Sequence, residues 1–84
     1  MTKKEQMIIE AAKNIPSQYG DYKLIDTLYR AVAEIMGYKV ATLHHGRWNF
    51  SNTEEHDTAR KIIHGMENRG IIRISKSGQA YKMI

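Results

Sequence analysis

Apolar residues recur at three- and four-residue intervals in three separate stretches of this chain, and after Gly70 that period gives way to short β-rich runs about a Ser/Gly turn. A pattern that switches period in this way restricts the fold to a few helices followed by a hairpin. The first stretch opens with Thr2 and Glu5 in capping-box spacing and carries Met7, Ile8, Ala11, Ala12 and Ile15 up to Pro16. It predicts a helix over 3–15. Asp21 is placed to cap a second helix over 22–36, with Leu24, Ile25, Leu28, Val32, Ile35 and Met36 on one stripe and Gly37 at its end. The third stretch, 52–68, has Ser51 or Asn52 as cap, with Glu54 or Glu55 answering from the third position. Ala59, Ile62, Ile63 and Met66 fall on one side of that helix, and Asp57, Lys61, His64 and Asn68 on the other. Gly70 then stops it. Gly65, inside it, either marks the close approach of another backbone or is a tolerated glycine.

Between the second and third helices, 38–50 forms an insertion. Val40 and Thr42, then Trp48 and Phe50 around His45-Gly46, read as extended chain on either side of a turn; Val40 to His44 also fits a helical turn. The final segment, 71–84, pairs Ile71 to Ile74 with Ala80 to Ile84 about Lys76-Ser77-Gly78. The expectation is one mostly α domain spanning 1–84, with a three-helix core and a C-terminal β-hairpin.

A chain of 84 residues with 42% hydrophobic content has material for one core. It contains no cysteine, so disulfides, thiolate metal sites and cysteine nucleophiles are excluded. The apolar stretch behind Met1 is interrupted by Glu5, Glu10 and Lys13, so neither a signal peptide nor a membrane span is expected, and a cytoplasmic location follows as the expectation. The formal charge of +4 is unevenly spread. From Thr58 onward, Arg60, Lys61, Arg69, Arg73, Lys76 and Lys82 face one acid, Glu67, while the remainder is nearly neutral. A local cationic excess of this kind attracts polyanions.

It is over these residues that the chain resembles the winged helix-turn-helix DNA-binding family. Ala59, Ile63, Met66, Glu67, Asn68, Arg69, Gly70, Ile71 and Ile72 stand where that family ends its third helix and begins an apolar strand, and Lys76-Ser77-Gly78 stands at the tip of its wing. The resemblance implies a three-helix core plus wing, and a small transcriptional regulator whose partner is double-stranded DNA. It places the third helix in the major groove and the basic hairpin on the phosphate backbone. Thr53, Arg60, Lys61 and His64 on the helix and Arg73, Lys76 and Ser77 on the wing are the implied nucleic-acid-binding residues. Arg60 suits a guanine edge, and Lys61 and Lys76 suit phosphates. Two features depart from the family: the roughly 14-residue insertion after Gly37, where a helix-turn-helix has three or four residues, and the acidic start of the third helix at Glu54, Glu55 and Asp57. One such module contacts few base pairs, so sequence-specific binding implies either a homodimer or cooperative binding.

The insertion supports an alternative of a different class. Trp48 and Phe50 are the only tryptophan and phenylalanine, and with Arg47 they suit a protein-interaction hot spot, as in an adaptor or inhibitor of a larger nucleic-acid machine. No enzyme is expected, since the chain lacks a phosphate loop, a metalloprotease spacing and a nucleophile elbow. Nor is a cofactor or metal: His44 and His45 are adjacent, and His56 and His64 are eight apart.

Overall fold

The computed structural model describes residues 2–17, 20–44, 47–50 and 53–84, with only the backbone described for 40–44 and 47–50. The first helix, α1, spans Lys3–Asn14, and the Thr2 hydroxyl accepts from the Glu5 amide at 3.2 Å, as the capping-box spacing requires. Ile8 and Ala12 are its buried residues. Met7, placed on the apolar stripe by its spacing, is 47% exposed, because it sits about 100° around the helix from Ile8.

The second helix, α2, spans Ile25–Met36 and begins three residues later than its pattern suggests. The preceding residues are taken by a short strand, β1 (Lys23–Leu24), that pairs antiparallel with the last strand of the chain through Lys23↔Tyr81 and Leu24↔Ala80. The Ile25 amide continues that pairing by donating to the Gln79 carbonyl at 3.0 Å. Leu24, not Asp21, therefore occupies the cap position, without a side-chain cap bond.

The chain between α2 and the third helix is extended: β2 (Val40–His44) and β3 (Arg47–Phe50) pair antiparallel through Val40↔Phe50, Ala41↔Asn49 and His44↔Arg47, with a register irregularity between Ala41 and His44. These two strands form a sheet of their own. The third helix, α3, spans Thr53–Asn68; the cap expected at Ser51 or Asn52 lies outside the described residues. Strands β4 (Ile72–Ile74) and β5 (Ala80–Met83) then form the C-terminal hairpin. The three-stranded sheet has the order β1-β5-β4.

Two helices end in the same way. Gly37 (φ 79°) and Gly70 (φ 75°) adopt the left-handed conformation that glycine enters without steric cost. The following amides reach back five residues, Tyr38 to the Ala33 carbonyl at 2.8 Å and Ile71 to the Met66 carbonyl at 2.9 Å, which satisfies carbonyls the helix leaves open. At Gly65 no atom of another element among the described residues lies within 4 Å of where a Cβ would stand, so it is a tolerated glycine.

Ile8 and Ala12 of α1, Ile25, Leu28 and Val32 of α2, Ala59, Ile63 and Met66 of α3, and Ile72 and Tyr81 of the sheet make one core. Lys23 is buried at its edge and donates through Nζ to the carbonyls of Ala12 (3.1 Å) and Lys13 (2.6 Å) at the C-terminal end of α1. An ammonium there meets both the open carbonyls and the negative end of the helix dipole. The buried Tyr81 hydroxyl donates to the same Ala12 carbonyl at 2.9 Å, joining α1, β1 and β5 at one point. No helix among the described residues is long and apolar enough to cross a membrane.

Candidate nucleic-acid interface

Burial of Ala59, Ile63 and Met66 sets which side of α3 meets the core. At about 100° per residue, Thr53, Asp57, Lys61, His64 and Asn68 lie on the opposite side. Thr53, Lys61, His64 and Asn68 are exposed there. Arg60 is displaced toward the flank, and there its Nη2 lies 3.3 Å from Asp57 Oδ1, one turn earlier. On the neighbouring helix, burial raises the pKa of the Tyr29 hydroxyl; the Arg60 cation opposes that rise and the Asp26 carboxylate adds to it. The Tyr29 ring also stands 5.7 Å from that of His56. Arg60 thus belongs to a mixed-charge strip between α2 and α3, whereas spacing alone grouped it with the outward residues.

The hairpin is held beside the C-terminal half of α3 by Glu67, whose Oε2 accepts from the Ile74 amide at 2.8 Å. This is the single acid of the basic third, and it occupies an edge-strand amide that the sheet does not use. Beyond Ile74 the turn is organised by serines: Ser75 Oγ accepts from the Ala80 amide (3.2 Å) and lies 3.1 Å from Ser77 Oγ, and Ser77 Oγ accepts from the Gln79 amide (3.3 Å). Lys76 and Ser77 are exposed on that turn. Ser77 therefore shapes the turn as well as lining its surface.

Strand alternation places Arg73 on the face of the sheet turned away from the core, directly opposite Lys82. Lys82 Nζ lies 5.6 Å from the centroid of the Tyr22 ring. Lys82 and Tyr22 are candidate functional residues that spacing did not select; the alternation of Ile72-Arg73-Ile74 against Ala80-Tyr81-Lys82 was the signal for the first, and nothing local signalled the second.

The cations of the basic third differ in their partners. Arg60 is paired with Asp57, and Arg69 Nη1 lies 3.4 Å from Glu5 Oε2 at the start of α1. Lys61, Arg73 and Lys76 have no ion-pair partner among the described residues. The side chains of Arg47, Trp48 and Phe50, the alternative interaction residues, lie outside the described residues. Among the described residues no group of three His, Cys, Asp or Glu side chains is arranged to hold a metal ion. No protein-family model matches the chain, and neither a curated protein nor a solved structure matches it.

Proposed function

We propose that this chain is a winged helix-turn-helix protein that binds double-stranded DNA, as a small transcriptional regulator, with α3 in the major groove and the β4–β5 hairpin as a wing on the phosphate backbone. The observation that carries the reading is the placement, on adjoining elements, of two cations that have no ion-pair partner among the described residues. Lys61 lies on the outward side of α3, and Lys76 is at the turn of a hairpin that Glu67 ties to that helix. The element order, with β1 joining the hairpin as a third strand in the order β1-β5-β4, also supports it. A helix about 10–12 Å across fits the major groove, and a basic hairpin beside it reaches the neighbouring backbone. In this reading Thr53 and His64 face the groove, Lys61 and Lys76 hold phosphates, Arg60 swings from Asp57 at the flank of α3 to reach a base edge, and Ser77 lies at the backbone beside Lys76. Arg73 lies on the adjoining face of the sheet.

Titration of duplex DNA at several salt concentrations tests this. Each phosphate neutralised contributes about 0.9 to the slope of log K against log salt, so Lys61→Ala with Lys76→Ala lowers the slope by about 1.8. Affinity for all sequences falls alike in that variant. Wild-type protein without salt-dependent affinity for any duplex ends the proposal.

The carboxylate held against Arg60, together with Glu54 and Glu55 in the first turn of α3, favours a second reading in which a protein is the partner. Phosphates are repelled from that end of the helix, and a basic or mixed-charge protein surface is not. Unchanged duplex affinity in the Lys61/Lys76 variant, combined with loss of a purified partner on Trp48→Ala, selects it.

A further inference from the structure

The outward face of the three-stranded sheet carries a second arrangement, centred on Tyr22 and Lys82, two residues the duplex reading does not use. Ile72 and Tyr81 are buried, so their neighbours Arg73 and Lys82, directly paired across β4 and β5, share the opposite face. Like charges directly opposite one another destabilise a strand pair, and a neutral residue at either position relieves this. No carboxylate among the described residues lies within 4.0 Å of Arg73 or Lys82. A local conflict of this kind, offset among the described residues only by the contact of Lys82 with the Tyr22 ring, is expected where a surface serves a ligand.

The surroundings define that ligand. The Tyr22 ring stands 5.6 Å from Lys82 Nζ, and beside it is a cavity of about 260 Å³ lined by Tyr22, Leu24, Ala80, Ser75, Ser77 and Gln79. Its lining combines one aromatic ring and two aliphatic side chains with two serines and a glutamine. The hollow is open and a little smaller than the roughly 300 Å³ at which sites for drug-sized ligands start, a size that suits one planar group. Uncompensated cations, an aromatic plane and an adjoining apolar hollow are together the elements of a site for unpaired nucleotides, whose phosphates meet the cations while a base stacks on the ring.

We propose that the outer face of the β1-β5-β4 sheet binds single-stranded nucleic acid, with one base in the hollow formed by Tyr22, Leu24 and Ala80 and the adjacent phosphates at Arg73 and Lys82. This site adjoins the duplex surface at Arg73 and Ser77, but its centre at Tyr22 and Lys82 does not depend on that reading.

The test is fluorescence anisotropy of the full chain with a short labelled single-stranded oligodeoxynucleotide, run beside the duplex titration. Loss of a stacked base weakens binding roughly 5- to 150-fold, so Tyr22→Leu falls by that factor while Tyr22→Phe, which keeps the ring, binds as wild type does. Lys82→Gln lowers the salt slope for the single strand by about 0.7. Tyr22→Leu leaves duplex affinity unchanged, and Lys61→Ala, on α3 away from the hollow, leaves single-strand affinity unchanged. The proposal is overturned if wild-type protein does not bind the oligonucleotide, if Tyr22→Leu and Lys82→Gln bind it normally, if Phe fails to rescue, or if duplex affinity falls in parallel. Single-strand binding without duplex binding sustains this site and removes the duplex reading, and the reverse outcome does the opposite.

Discussion

The point where α1 ends is the most exacting place to test how this fold is held together. Lys23 Nζ and the Tyr81 hydroxyl converge on the Ala12 carbonyl, and Lys23 alone also holds the Lys13 carbonyl. Lys23→Met keeps most of the apolar stem and removes the ammonium. It leaves the partly buried Lys13 carbonyl without this donor and Ala12 with Tyr81 only. Hydrogen bonds from a charged donor contribute about 1.5–3 kcal/mol and water reaches one of these two acceptors, which puts the cost at about 2 kcal/mol. Tyr81→Phe removes one neutral bond while Lys23 still serves Ala12, and costs about 1 kcal/mol. In the double variant the buried Ala12 carbonyl loses both donors. Its own desolvation penalty of about 1 kcal/mol then appears, giving a total of about 4 rather than about 3 kcal/mol. Coupling of that size exceeds the roughly 0.3–0.5 kcal/mol within which independent sites add. Urea denaturation of the four proteins measures it, with unchanged m-values as the control for two-state unfolding. For a domain of this length, Lys23→Met alone lowers Tm by about 8–16 °C. A Lys23→Met variant as stable as wild type, or strictly additive losses, refutes the shared-acceptor account.

Three further outcomes are expected. Burial pushes the pKa of Tyr81 from 10.0 to about 12, so the folded state keeps the phenol neutral where the unfolded chain ionises it; this stabilisation is complete below pH 10 and is lost as pH rises toward 12. Wild type therefore loses on the order of 2 kcal/mol across that window that Tyr81→Phe does not lose, and a pH series of denaturation curves should show the two converging and crossing. Gly65→Ala meets open space in a helix interior, and thermal melts should show a gain of about 0.5–1 kcal/mol; a loss reveals a neighbour at that position. Under the duplex reading, Asp57→Asn frees Arg60 for its base edge, so affinity for the preferred duplex should rise in a binding titration and adding Arg60→Ala should cancel the rise.

Much of this architecture is local and therefore legible in the sequence. Thr2 with Glu5, the stripe from Leu28 to Val32, the buried series Ala59, Ile63 and Met66, and the stops at Gly37 and Gly70 all depend on interactions spanning three to five residues. Each therefore leaves a fixed spacing behind. The Arg60–Asp57 pair is local in the same sense and was there to be read at i, i+3.

What the tertiary structure decided is non-local. Strand β1 exists because Lys23 and Leu24 meet Tyr81 and Ala80, and two residues are too few to imprint a period of their own. Lys23 reads as a surface charge until the end of α1 is brought over it. Six cations against one acid could be counted in advance, but only folding set Arg69 against Glu5 and left Lys61, Arg73 and Lys76 without a carboxylate among the described residues. Spacing along a chain records which residues share a face. It carries no record of what that face will meet, because the partner comes from a distant segment whose approach depends on the packing of the whole core.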